Sequence, residues 1–118
     1  MPGDINLSIR VDFPGGGRFG PGKASVLEAI DKTGSISAAA QLLGMSYPRA
    51  LKLIEQMNAQ FPSPLLIKQH GGIERGGSHL TDTGHRVLTA YRALCAQAQD
   101  ATEESFKTFR ALLTNQGD

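Results

Sequence analysis

Apolar and polar residues alternate along the first segment of the chain. Ile5, Leu7, Ile9, Val11 and Phe13 fall on one side, and Asn6, Ser8, Arg10 and Asp12 on the other. A period of two with one apolar side predicts a half-buried strand over residues 5–13. Pro14 ends it, because it has no N–H to give to a ladder. From residue 22 the period changes. Val26, Leu27 and Ile30 make one stripe, and Lys32, Thr33 and Gly34 supply a stop, which predicts a helix over 22–33. A second helix is predicted over 38–43, with Ser37 as its N-cap and Gly44 in the C-cap place. Ser46 caps a third, with Pro48 in its first turn, where a missing N–H is harmless. Its inner stripe is Ala50, Leu53 or Ile54, Met57 and Phe61, and Pro62 and Pro64 close it.

The apolar run Leu65–Ile67, a Gly-rich loop, and Ser78, His79 and Leu80 predict a β-hairpin. Thr81 or Asp82 then caps a final helical stretch. Its stripe steps by three and four through Leu88, Tyr91, Cys95, Ala98, Thr102, Ser105, Phe109 and Leu112. The stripe is strong at both ends and weak in the middle. One long helix, or two with a bend near 100–104, fits it equally. Gln116, Gly117 and Asp118 are expected to fray.

The order is therefore strand, helix, helix, tight turn, helix, hairpin, long helix. Small alanines at 38–40 allow close helix approach, and Gly44 allows a sharp reversal. That is the pattern of a helix-turn-helix. The hairpin directly after it makes a winged variant. The expected fold class is mainly α with a small β component: a winged helix-turn-helix with an N-terminal strand and a long C-terminal dimerisation helix. Residues 1–94 form the expected DNA-binding domain, and 95–118 a helical extension for dimerisation.

Composition fits one domain: 118 residues, 40% hydrophobic and 19% charged. The single cysteine, Cys95, excludes an intramolecular disulfide and a Cys-rich zinc site. His70, His79 and His85 lack metal-ligand spacing, so no metal and no cofactor is assigned. No apolar run approaches a membrane span, and the N-terminus has no basic-then-apolar signal pattern. A cytoplasmic setting without membrane partners is expected. The formal net charge is only +1, but the charges are not evenly spread. Residues 46–92 carry six basic side chains (Arg49, Lys52, Lys68, Arg75, Arg86, Arg92) against three acidic ones (Glu55, Glu74, Asp82). Residues 93–118 carry two basic against four acidic. Positive charge thus sits on the third helix and the hairpin, as a nucleic-acid partner requires.

Nine of the fourteen glycines fall in two clusters, at 15–22 and 71–77. The first cluster contains "GRFGPGKA" at 17–24, close to the phosphate-binding pattern G-x-x-x-x-G-K-[ST]. Position 24 is Ala, so the magnesium-binding hydroxyl is absent, with Ser25 one place late. No further parallel strands follow to build a nucleotide-hydrolysing sheet. The expectation is a glycine-rich turn, not an enzyme's loop, and no catalytic residue is assigned. Lys23 and Arg18 remain candidates to lie near DNA or a partner subunit.

The segments "GSISAAAQLLGMSYPRALKLIEQMNAQFPSPLL", "GGIERGGSHLTDTGHRVL" and "GGGRFGPGKASVLEAI" resemble the N-terminal DNA-binding domain of ModE-type molybdate-responsive transcription regulators. More distantly they are similar to the LysR-type winged helix. The resemblance runs from about Ile5 to Leu94, and turn, wing and opening match in order. It implies binding to double-stranded DNA and pairing through the final helix and the first. ModE-type regulators carry molybdate-binding domains after this region. The sequence here ends at Asp118, and no residue is assigned to molybdate.

On their own chemistry, the residues at the start of the third helix suit the major groove. Arg49 suits a guanine edge or a phosphate, Tyr47 a phosphate or a thymine methyl, and Lys52 a phosphate. Ser46 lies beside them, either as a contact or as a cap alone. Ser35 and Ser37 offer hydroxyls and helix N–H groups to the DNA backbone. In the wing, Lys68 and Arg75 supply charge, and Gly76 and Gly77 let the loop lie against a phosphate ridge or dip into the minor groove. Leu88, Tyr91, Leu94, Cys95, Phe109 and Leu112 are the expected dimer surface. Cys95 reads as a small apolar residue rather than a nucleophile. The first expectation is a homodimer on a palindromic site that regulates transcription. The second is a protein-interaction module that pairs with a full-length relative and modulates it.

Overall fold

A computed structural model describes residues 5–68 and 77–114. The chain runs β1 (Val11–Asp12), β2 (Arg18–Phe19), α1 (Pro21–Thr33), α2 (Ile36–Leu43), α3 (Tyr47–Gln60), β3 (Leu66–Lys68), β4 (Ser78–Leu80), α4 (Asp82–Ala101) and α5 (Glu103–Thr114). It is a mainly helical winged helix-turn-helix, as the sequence pattern predicts, and it carries two small antiparallel strand pairs, of which the pattern predicts only the wing hairpin.

The N-terminal strand is much shorter than the alternation predicts. Only Val11 and Asp12 pair, with Phe19 and Arg18. Alternation tells which side chains share a face, but a strand also needs a partner edge, and residues 6–10 pair with no strand among the described residues. The partner is β2, which the sequence pattern did not announce. It returns through a tight turn in which the Phe13 N–H donates to the Gly17 carbonyl at 2.7 Å. Gly15 and Gly16 occupy it at φ 91° and 105°, where a side chain would be strained.

Helix α1 is the hub. Ala24, Val26, Leu27, Ala29 and Ile30 are all buried on it, and α2, α3, α4 and β4 pack around it. Gly34 ends it at φ 74°, its N–H donating to the Ile30 carbonyl at 2.7 Å. Helix α2 begins earlier than expected. Its N-cap is Ser35, not Ser37: the Ser35 hydroxyl accepts from the Ala38 N–H at 3.1 Å. Burial of Ile36 explains the shift, because the helix must already run at that residue to turn it into the core.

The apolar side of α3 buries Ala50, Ile54 and Met57. The alternative offered at 53 or 54 resolves to Ile54, with Leu53 half-buried. Phe61, just past the helix, joins Phe13 and Phe19 in edge-on ring contacts at 5.6 and 6.5 Å. Tyr91 of α4 completes this aromatic cluster against Phe19 at 5.1 Å. The final stretch is two helices. Thr102 breaks it at φ −106°, ψ 11°, and its hydroxyl donates back to the Ala98 carbonyl at 2.7 Å, a bond that bends helices. Residues 94 and 95 are consecutive positions of α4, so the extension continues the domain's last helix. Beyond Thr102, α5 meets the rest of the chain along α4 and the segment Ile5–Leu7. The α4–α5 arm stretches the molecule to 64 × 29 × 22 Å.

Tyr91 is the lock on the N-terminal segment. Its hydroxyl donates to the Ile9 carbonyl at 2.6 Å. Burial, helped by Cys95 beside it, pushes the phenol up to about 12. The unfolded chain releases that proton near the ordinary value of about 10. The contribution of Tyr91 to stability is therefore complete below about pH 10 and is lost as pH climbs towards 12. Tyr91→Phe should cost about 1 kcal/mol at pH 8, for the lost hydrogen bond. It should also show a smaller further loss than the parent between pH 8 and 11. Urea melts at both pH values check this, and parallel losses in the two proteins would refute it.

Candidate nucleic-acid interface

The turn between α2 and α3 is built by the backbone. Gly44 sits at φ 69°, ψ 30°. Its N–H donates to the Gln41 carbonyl at 3.2 Å and the Met45 N–H to the Ala40 carbonyl at 3.0 Å, the pair of bonds of a Schellman ending. The chain then reverses and α3 starts at once. The Ser46 hydroxyl accepts from the Arg49 N–H at 3.2 Å. Pro48 occupies the first turn, which loses nothing by its missing N–H.

With Ala50, Ile54 and Met57 turned inward, the opposite side of α3 faces out. Ser46, Tyr47, Arg49 and Lys52 are all exposed. The side chains of Arg49 and Lys52 have no hydrogen-bond or ion-pair partner among the described residues. Neither α2 nor α3 has an acidic residue in its first turn. Two helix N-termini without an acidic residue in their first turns, and two cations without an ion-pair partner among the described residues, favour an anion there, with Glu55 the acidic neighbour further along α3. Ser37 is exposed in the first turn of α2, and its hydroxyl has no partner among the described residues. Ser35 and Ser46 accept as caps, yet each hydroxyl keeps its proton to donate outward. Capping and backbone contact are thus compatible at both.

The wing follows α3 through Pro62–Leu65. Leu66 pairs with Leu80, Ile67 with His79 and Lys68 with Ser78. Leu66, Ser78 and Leu80 turn inward, while Ile67, Lys68 and His79 are exposed. The Ser78 N–H donates to the Gly34 carbonyl at 2.9 Å. That bond brings Gly77, Ser78 and, across the ladder, Lys68 to the start of α2 beside Ser35. Gly77 lies close there: a Cβ would crowd the Gly34 carbonyl at 3.3 Å. Arg75, Gly76 and His70 lie outside the described residues.

Two contributions had no clear reading from the sequence. Asn58 of α3 grips β3: its Oδ1 accepts from the Leu65 and Leu66 N–H groups at 2.8 and 3.3 Å, and its Nδ2 donates to the Leu66 carbonyl at 3.3 Å. A poor helix former late in an otherwise regular helix was the available signal. At the wing's base, the Thr81 hydroxyl caps α4 by accepting from the Gly84 N–H at 3.0 Å and donates to the Pro64 carbonyl at 2.7 Å. Thr81, one of the two residues offered, is the cap.

The residues expected to pair two copies divide. Tyr91 is buried in the chain's own core, and Leu88 and Cys95 are half-buried against it. Leu94, Phe109 and Leu112 are exposed, Leu112 at 72%. The glycine-rich near match to a nucleotide loop is occupied from within. Lys23 is buried, and its Nζ donates to the Arg18 carbonyl at 2.6 Å. Burial, and then the nearby Arg18 guanidinium, pushes that ammonium down. Its charge is turned away from solvent, while Arg18 is exposed. Among the described residues, no helix is long and apolar enough to cross a membrane.

Fold, turn, exposed helix face and wing define a winged helix-turn-helix of the nucleic-acid-binding class. Residues 23–85 match the bacterial regulatory helix-turn-helix protein, lysR family, and the chain belongs to that family. It is 42% identical over 78 residues to the molybdenum transport protein ModE of Azotobacter vinelandii, covering 66% of this chain and 29% of that one. It is 36% identical over 81 residues to the DNA-binding transcriptional dual regulator ModE of Escherichia coli (strain K12), covering 69% and 31%. The chain thus spans under a third of the length of these relatives. The DNA-binding domain of CbnR, solved in complex with DNA, superposes with a TM-score of 0.58 at 25% identity, covering 75% of this chain and 95% of that one. The family is one of bacterial regulatory helix-turn-helix proteins, and the Escherichia coli relative is a DNA-binding transcriptional regulator.

Proposed function

We propose that this chain binds double-stranded DNA sequence-specifically and regulates transcription as a homodimer on a palindromic site. The observation that carries this is the exposed start of α3, where Arg49 and Lys52 stand without partners on a helix anchored by its buried side. Arg49 and Tyr47 read or grip the major groove, with Ser46 beside them. Lys52, Ser35 and Ser37 hold the backbone, and Lys68, Gly77 and the wing beyond (Arg75, Gly76) reach the neighbouring phosphates or minor groove. Pairing uses the projecting α4–α5 arm. Its exposed Leu94, Phe109 and Leu112 are the apolar surface left after Leu88, Tyr91 and Cys95 serve the core. The same exposed arm favours a second reading, a module that pairs with a full-length relative and modulates it.

Selection of bound sequences from a random DNA pool tests the first reading. It should return two inverted half-sites about one helical turn, roughly 34 Å, apart. Half-sites without symmetry would refute the dimer. No enrichment even at low salt would refute DNA binding and leave the second reading, which predicts that removing residues 95–118 abolishes capture of a full-length relative.

A further inference from the structure

The wing ribbon has three residues in each strand. Two-stranded ribbons of that length are marginal alone. Both of its outer edges, however, are occupied by groups that are not strands. The register pairs Leu66 with Leu80, Ile67 with His79 and Lys68 with Ser78, and because the backbone groups of Leu66 and Ser78 bond outside the ribbon, Ile67 and His79 are the pair whose backbone groups point across the ladder. Leu66 and Ser78 turn their backbone groups outward. On the β3 edge the Asn58 carboxamide takes both the N–H and the carbonyl of Leu66, and the N–H of Leu65 besides. On the β4 edge the Gly34 carbonyl takes the Ser78 N–H. Asn58 belongs to α3 and Gly34 to the turn between α1 and α2. The ribbon is therefore docked, edge by edge, onto the helix-turn-helix itself.

We propose that Asn58 is a positioning residue for DNA binding. Its carboxamide stands in for a neighbouring strand and sets the angle between α3 and the wing. Lys68 reaches the phosphate backbone only while Asn58 holds β3. Without Asn58 the β4 edge stays held by the Gly34 carbonyl but the β3 edge is freed, so Lys68 would have to be ordered at the moment of binding and its contact would return little net affinity. This rests on the DNA-binding reading above.

The test is the dependence of affinity on salt, measured on one selected duplex with the full chain. Each phosphate contact adds about 0.9 to the slope of log K against log salt. Asn58→Ala and Lys68→Ala should each flatten the slope by about 0.9 per bound protomer. At 0.15 M salt, each should weaken binding about fivefold per protomer. The double variant should lose no more than either alone, and base preference should not move. Asn58→Gln adds no charge and keeps the amide, set one methylene further out, and should fall between. If Asn58→Ala fails to fold by circular dichroism, Asn58→Gln combined with Lys68→Ala carries the same comparison. A folded Asn58 variant that keeps the parent slope, or additive losses in the double variant, overturns the proposal while DNA binding by the parent stands. A parent chain that binds no duplex at any salt overturns both.

Discussion

Gly84→Ala is expected to destabilise the protein by about 3 kcal/mol, the upper range for overpacking a tight site. Gly84 lies in the first turn of α4 and is buried. A Cβ there would run into the carbonyl oxygen of Leu65, with the Leu65 carbonyl carbon at 3.1 Å behind it. The obstacle is main chain, which cannot rotate aside as a side-chain tip does. That same carbonyl accepts the Thr81 N–H at 2.9 Å. Relieving the clash must therefore part α4 from β3 and stretch the bonds at the base of the wing. A loss of this size should lower the melting temperature by roughly 10–20 °C in a domain of this length. Gly22→Ala is the matched control. It lies in the first turn of α1, with nothing within 4 Å of where a Cβ would go. It should gain up to about 1 kcal/mol through reduced freedom of the unfolded chain. Thermal melts of the two variants beside the parent check the pair. Equal melting temperatures for Gly84→Ala and Gly22→Ala would refute the close-approach argument.

The elements legible in the sequence are those whose signals are local. The turn at Gly44 and the cap at Ser46 with Pro48 behind it are decided within four residues, and the structure has them where the pattern puts them. The long-range bonds were not legible. Residues 5–10 alternate like a strand but 6–10 pair with no strand among the described residues, and β2 hides inside a run read only as a turn. Ser35 and Ser37 are equivalent as caps on chemistry alone. Burial of Ile36, a tertiary fact, decides between them. The expected dimer surface groups Leu88, Tyr91 and Leu94 alike as apolar. Only the position of Phe19 and Ile9 shows that Tyr91 is already used. Asn58 and Gly84 act on the base of the wing through partners seven or more residues away, where pattern reading has no purchase.

The outward residues of α3 follow from the inward ones, because Ala50, Ile54 and Met57 fix the helix's rotation about its axis. Arg49→Ala should therefore change binding without changing the fold. The Arg49 side chain is exposed and has no partner among the described residues. Its loss should move stability by no more than about 0.5 kcal/mol. A bidentate contact from arginine to a guanine edge discriminates by about 1–3 kcal/mol. Each substitution would act once per half-site, so a dimer on a palindrome should lose roughly 2–6 kcal/mol, about thirtyfold to twenty-thousandfold in Kd. The readout that separates roles is the pattern of the loss. If Arg49 reads a base, preference relaxes at one symmetric pair of positions and the salt slope stays near that of the parent. If Arg49 only grips phosphate, binding weakens evenly across sequences and the slope falls by about 0.9 per protomer. Lys52→Ala supplies the reference for the second pattern. Arg49→Lys separates them further, since an ammonium restores charge but not the planar fork that matches guanine. Binding titrations on the selected duplex and on single-base variants, at two salt concentrations, decide it. An Arg49→Ala protein with the parent's affinity and base preference would remove α3 from the interface and the proposed mode of binding with it.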